Sequence, residues 1–168
     1  MRLFLAILPD EKMRTALINT QERLRKKGLK GRYTPEWNLH LTLAFIGEYQ
    51  DPDAVMDAVQ SVSMEPFSIR MDGYGRFDAT VWAGIAENEE LSAYVKKLRR
   101  AMSSSGIPFD SKPFAPHITV VRGVEKNIML PGIMIPGASM KVQEVSLMRS
   151  DRGKNGMNYT EIDRYPLL

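Results

Sequence analysis

The sequence predicts an α+β chain built as two similar halves. Apolar residues alternate in several short runs and recur at helical spacing in longer ones, so strands and helices are mixed along the chain. Two long helical stretches, centred near residues 18 and 97, each precede a strand that carries a histidine, and these histidines, His40 and His117, lie 77 positions apart. At 168 residues the chain is short enough for a single domain spanning 1–168, and long enough to bury a core without staples.

Taken in order, Leu3–Leu8 is a short apolar run stopped by Pro9, which predicts a buried strand. Asp10 is a helix cap, followed by Met13, Leu17, Thr20 and Leu24 at helical spacing up to Gly28. Gly31 and Pro35 bracket a loop or short strand. Residues 38–47 read as a strand with Leu39, Leu41, Leu43 and Phe45 on one face. Asp51-Pro52 starts a helix continued by Val55, Val59 and Val62. Phe67, Ile69 and Met71 alternate with polar residues, and Thr80–Ile85 is a further strand. Leu91, Val95, Leu98 and Met102 define the second long helix, closed by Gly106 and Pro108. Pro116 introduces the β-branched strand His117–Val121. Residues 141–149 and 158–165 complete the list as two strands joined through 151–156.

Composition removes several chemistries. There is no cysteine, which excludes disulfides, thiolate metal sites and a cysteine nucleophile. With only two histidines, a three-histidine metal site is impossible. The net charge of +3 permits a phosphate-bearing partner without requiring one. The apolar run near the amino terminus is shorter than a secretory core of roughly 7–15 residues, and the uncharged stretch 127–140 is broken by prolines and glycines. No membrane association is expected, and a cytoplasmic monomer is.

The two histidines open matching tetrapeptides, His40-Leu41-Thr42-Leu43 and His117-Ile118-Thr119-Val120. Only seven of 168 residues are threonine, so the shared spacing is not the product of composition. In a strand, His and Thr at i and i+2 share a face while the aliphatic residues anchor the other. Two such faces brought together present two imidazoles, which titrate near neutrality and can serve as base and acid on opposite sides of a phosphorus centre. The Thr hydroxyls would donate to the non-bridging oxygens. Arg122 follows His117 by five residues, which in a regular strand turns it away from His117. A bend or bulge at Gly123 would bring its guanidinium inward to a phosphate; otherwise it is a solvated strand-end charge.

These motifs resemble those of the 2H phosphoesterase superfamily, and most fully its RNA 2′,3′-cyclic phosphodiesterase branch, also called the 2′-5′ RNA ligase family. The likeness runs through Met1-Arg2-Leu3-Phe4 with Ala6-Ile7, then Trp37-Asn38-Leu39-His40-Leu41-Thr42-Leu43 with Phe45-Ile46-Gly47. It continues in Phe114, Pro116-His117-Ile118-Thr119-Val120 and Arg122, and in Leu147-Met148, Ser150, Gly156 and Tyr159. Val120, where Leu is common, is a minor departure. The resemblance implies two pseudo-symmetric lobes of antiparallel sheet plus helices around a central cleft, with no metal and no cofactor. It implies hydrolysis of an RNA 2′,3′-cyclic phosphate terminus to a 2′-phosphate. His40 would be the general acid for the 3′ oxygen, His117 the base activating water, and Thr42, Thr119 and Arg122 the phosphate-holding residues. The reverse reaction, 2′-5′ ligation, would use the same groups. Other activities of the superfamily, on a small cyclic nucleotide or on 2′-5′ oligoadenylate, are the alternatives, as is an RNA- or nucleotide-binding module without turnover.

Two basic clusters stand apart from the motifs: Arg23, Arg25, Lys26, Lys27, Lys30 and Arg32, and then Lys96, Lys97, Arg99 and Arg100. Each reads either as a solvated helix end or as a surface for an RNA backbone. Lys112, Arg149, Arg152 and Lys154 are equally open. Tyr33, Trp37, Phe114 and Tyr159 lie near the motifs as core residues or as platforms for a terminal base. Gly73-Tyr74-Gly75 lacks the third glycine of a dinucleotide loop.

Overall fold

Side-chain caps fix where each helix begins. In the computed structural model, which describes residues 1–168, Asp10, Asp51 and Asn88 accept hydrogen bonds from the backbone N–H groups of Met13, Ala54 and Leu91 at 2.8, 3.0 and 3.0 Å. These caps start α1 (Glu11–Lys26), α2 (Pro52–Gln60) and α3 (Glu89–Ser104). The strands are β1 (Arg2–Ile7), β2 (Arg32–Tyr33), β3 (Leu41–Glu48), β4 (Phe67–Phe77), β5 (Thr80–Ile85), β6 (His117–Arg122), β7 (Ser139–Val142), β8 (Glu144–Gly153) and β9 (Gly156–Pro166).

The expected α+β architecture is found. All pairings are antiparallel, and the strand order β7-β4-β5-β6-β3-β1-β8-β9 reads as two four-strand halves with β6 and β3 at the centre; β2 adds to β6. The two central strands touch through one bridge, Leu41 opposite Ile118. These two residues hold the same place in their motifs, so the pseudo-twofold axis passes between them. The apolar side of the motifs faces the helices: α1 packs on β6 and β7, α3 on β3 and β4, and α2 against α3 and β9. One hydrophobic cluster of 40 buried residues fills this layer under both halves. The opposite face is left open at the centre.

Three elements differ from expectation. The stretch before Leu41 is not strand: Glu36–Asn38 forms a 3₁₀ turn. The single strand expected over 141–149 is two, because the chain leaves β7 beside β4 at Gln143 and re-enters as β8 beside β1 in the other half. The sequence marks this crossing only by a slip in the apolar alternation, with two polar residues, Gln143 and Glu144, in a row between Val142 and Val145. Finally, Phe45 is not on the face of Leu41. An extra residue in β3 between the pairs Ala6–Thr42 and Leu5–Ala44 reverses the alternation, so Leu43 and Ala44 are both buried and Phe45 returns to the open face with His40 and Thr42.

The same irregularity recurs in β6. Between the pairs Trp82–Thr119 and Val81–Val121 one residue is extra, so Val120 and Val121 are both buried and Arg122 returns to the face of His117 and Thr119. Gly123 does adopt a left-handed φ of +69°, but the reversal that aims Arg122 lies upstream of it, at Val120. Gln21 supports this bulge from α1. Its buried amide donates to the carbonyls of Thr34 and Val120 at 2.8 and 3.0 Å.

Candidate active site

One step to either side of the Leu41–Ile118 bridge, the register sets His40 toward Thr119 and Thr42 toward His117, all four on the open face. The matching tetrapeptides thus meet at the axis, and Arg122 joins them. Each imidazole is fixed in the same way: Nδ1–H of His40 donates to the Asn38 carbonyl at 2.7 Å, and Nδ1–H of His117 to the Ala115 carbonyl at 2.6 Å. A carbonyl only accepts, so both rings carry a proton on Nδ1, and Nε2 is the atom that exchanges protons with solvent or ligand. His40 Nε2 accepts from the Thr42 hydroxyl at 2.9 Å. His117 Nε2 has no protein partner.

The two rings sit in different surroundings. His40 is half-buried between Phe4 (centroids 4.9 Å apart) and Tyr159 (5.0 Å, edge-on). Burial pushes its pKa down to about 4; the hydrogen bond to Asn38 opposes this, while Arg122 and His117 add to it. His40 is therefore neutral near pH 7. His117 stands at the more open edge, against Phe77 at 5.1 Å and Trp82 at 6.4 Å. Trp82 can lie flat there because its cross-strand neighbour is Gly75, where a Cβ would come within 2.7 Å of the indole. That requirement explains the glycine in Gly73-Tyr74-Gly75, which lies within β4.

Two cavities meet at His40 and Arg122. The larger, about 460 Å³, is bordered by Arg2, Phe4, Thr42, Phe45, Ser150, Arg152, Met157 and Tyr159. The smaller, about 200 Å³, is bordered by Arg32, Tyr33, Thr34, Pro35, Asn38, Thr119, Asn155 and Gly156, and shares Met157 and Tyr159. Neither lining contains a carboxylate. The guanidiniums of Arg2, Arg32, Arg122 and Arg152 have no acidic partner. Like charges gathered without counter-charge are unfavourable unless an anion enters, so the cleft is built for one. Nowhere in the chain do three His, Asp or Glu side chains converge as a metal-binding group.

Of the aromatic residues singled out by sequence, Tyr33 and Tyr159 border the cleft. Phe114 packs against the core and Trp37 is 72% exposed away from both cavities. Arg152 reaches the larger cavity, whereas Arg149 pairs with Asp151. Lys97 and Arg100 line a shallow groove with Ser61 and Ser63, remote from the histidines. Arg23, Arg25 and Lys26 do occupy the last turn of α1, but no basic residue occupies that of α3. Sequence reasoning missed Arg2, Phe4, Phe45, Phe77, Trp82 and the positioning role of Asn38. The last of these donates from its side-chain amide to the Met157 carbonyl at 2.8 Å, tying β9 and Tyr159 to the residue that orients His40.

Two tautomer-fixed imidazoles, two hydroxyls and an unpaired guanidinium share one open face, a set of groups chemically able to act as acid, base and anion holder at a phosphoester. Residues 13–154 match the 2′-5′ RNA ligase superfamily. A Thermus thermophilus protein named RNA 2′,3′-cyclic phosphodiesterase is 32% identical over 99% of this chain and 90% of its own length. An Escherichia coli protein of the same name is 30% identical over 82% of this chain and 80% of its own. The crystal structure of E. coli LigT complexed with 3′-AMP superimposes with a TM-score of 0.84 at 30% identity, covering 99% of this chain and 97% of the other. The chain belongs to the 2′-5′ RNA ligase superfamily, as a phosphodiesterase with the 2H phosphoesterase fold. No helix is long and apolar enough to cross a membrane.

Proposed function

We propose that this protein hydrolyses the 2′,3′-cyclic phosphate at an RNA terminus to a 2′-phosphate. The observation that carries the reading is the meeting of His40, Thr42, His117, Thr119 and Arg122 on one open face, with Nδ1 of both rings tied to a backbone carbonyl. His117, at the more open edge, takes a proton from water as its oxygen attacks phosphorus. The bond from phosphorus to the 3′ oxygen breaks, and that oxygen receives the proton held on His40 Nε2. Thr42, Thr119 and Arg122 hold the non-bridging oxygens, where charge is concentrated in the transition state.

In the free protein His40 is neutral. The incoming phosphate carries the negative charge that favours its protonated form, so substrate binding prepares the acid. No metal or cofactor takes part, and the chain acts as a cytoplasmic monomer with 1–168 as its single bilobal domain. With a 5′-hydroxyl attacking phosphorus in place of water, and the 3′ oxygen again leaving, the same groups form a 2′-5′ linkage; the backward direction cleaves it. The names of the relatives support the RNA substrate.

Product analysis after incubation with an RNA ending in 2′,3′-cyclic phosphate tests this directly. The expected product is the 2′-phosphate, formed equally well in a strong chelator. His40→Ala and His117→Ala each lower the rate by about 10²–10⁴-fold, the usual contribution of a positioned acid or base. Full activity in both variants, or activity only with added metal, would overturn the mechanism.

A further inference from the structure

We propose that Arg32 holds the phosphate on the 5′ side of the nucleotide that carries the cyclic phosphate; this rests on the phosphodiesterase reading above. Arg32 is the last of six basic residues near the end of α1, and nothing in the acid–base chemistry uses it. In the β2–β6 ladder it lies directly opposite Arg122. Like charges on opposed residues destabilise a strand pair. Neither guanidinium has a carboxylate to offset this.

The Arg32 guanidinium is also placed, not merely present. A Cβ on Gly123 would stand 2.8 Å from its Nη1, so this glycine leaves room for the group over the end of β6. From there Arg32 borders the smaller cavity together with His40, Thr119 and Arg122. Cross-strand neighbours have Cβ atoms about 5 Å apart, so two extended arginines on opposed residues reach phosphates separated by a single sugar.

Size and chemistry assign the two arms of the cleft. The larger cavity, about 460 Å³, has Phe4, Phe45 and Tyr159 on its walls and suits a base. The smaller, about 200 Å³, carries Arg32, Arg122, Thr34 and Thr119 on its walls, falls below the usual range for a whole ligand, and suits a phosphate and the sugar edge beside it. With the terminal base in the larger arm and the cyclic phosphate at the histidines, the preceding phosphate falls to Arg32. Beyond it Tyr33 continues the path, its ring covered by the Arg25 guanidinium at 4.3 Å.

The test isolates one phosphate. Calorimetry compares binding of adenosine 2′-phosphate and adenosine 2′,5′-bisphosphate, which differ only in the group Arg32 is assigned to hold. A charge-assisted hydrogen bond predicts about a tenfold preference or more for the bisphosphate in the native protein. In Arg32→Gln that ratio falls to about one, and Arg32→Lys restores part of it. Equal affinities in the native protein would overturn the assignment. So would a preference that survives Arg32→Gln and disappears in Arg152→Gln, which would route the chain through the larger arm. Because the probes are not turned over, the outcome is separate from the reaction itself. A protein that shows the Arg32-dependent preference but leaves cyclic phosphate intact would sink the phosphodiesterase reading and not this one.

Discussion

His40 and His117 begin from the same tetrapeptide and end in unlike places, and the difference comes from their neighbours. Phe4 and Tyr159 close around His40, and burial lowers its pKa to about 4. The ordinary value, and that of the unfolded chain, is about 6.5. As pH falls below about 6.5, the unfolded chain takes up the proton before the folded one does. Stability is therefore undiminished above that pH and declines as pH falls toward 4. Thermal melting at pH 7 and pH 4.5 checks the sign: the native protein should lose more of its melting temperature than His40→Asn. An equal loss in both would contradict the depressed pKa. The imidazoles and hydroxyls themselves were legible in the sequence, since no other histidines compete and the spacing puts each pair on one strand face. The aromatic walls were not legible: Phe4 and Trp82 read as ordinary members of apolar strands, and only the tertiary arrangement brings them against the rings.

At the scale of elements, the two bulges carry the most consequence. A regular β6 would send Arg122 to the helix side; the extra residue at Val120 sends it to the cleft. Gln21 holds that bulge by donating to Thr34 and Val120 carbonyls. Gln21→Leu leaves the Thr34 carbonyl without that donor and should cost about 1–3 kcal/mol in denaturant unfolding. It should also loosen Arg122, weakening inhibition by inorganic phosphate in step with Arg122→Gln. Lost stability with unchanged phosphate inhibition would show Gln21 to be structural only. Helices were easy to read because caps and spacing are local signals; Asp10 and Asp51 mark their starts plainly. Bulges are settled by which strand lies alongside, of which apolar alternation carries no record, and the crossing at Gln143 leaves only a slip of phase between Val142 and Val145. Hence alternation alone puts Phe45 on the face of Leu41, and a short polar slip leaves residues 141–149 reading as one strand.

For the molecule as a whole, two halves joined by one strand bridge could in principle come apart separately. The shared hydrophobic cluster argues otherwise, since α1 follows a strand of one half and packs on β6 and β7 of the other. Urea unfolding followed by circular dichroism and by tryptophan fluorescence should give one coincident transition. Leu41→Ala, at the buried bridge, should lower its free energy by about 2–5 kcal/mol without splitting it. Two resolved transitions would count against a single cooperative unit. The pseudo-twofold frame has one more effect. A twofold frame offers a bound anion two equivalent orientations, related by exchanging the histidines. Here the residue five places beyond the first histidine is Phe45, and five places beyond the second it is Arg122, delivered by matching bulges. One orientation meets the Arg122 guanidinium and the other the Phe45 ring, over which Arg2 lies at 5.2 Å. The exchange is therefore no equivalence, and under the proposed mechanism this unmatched pair, together with the unlike settings of the two histidines, directs which ester oxygen departs.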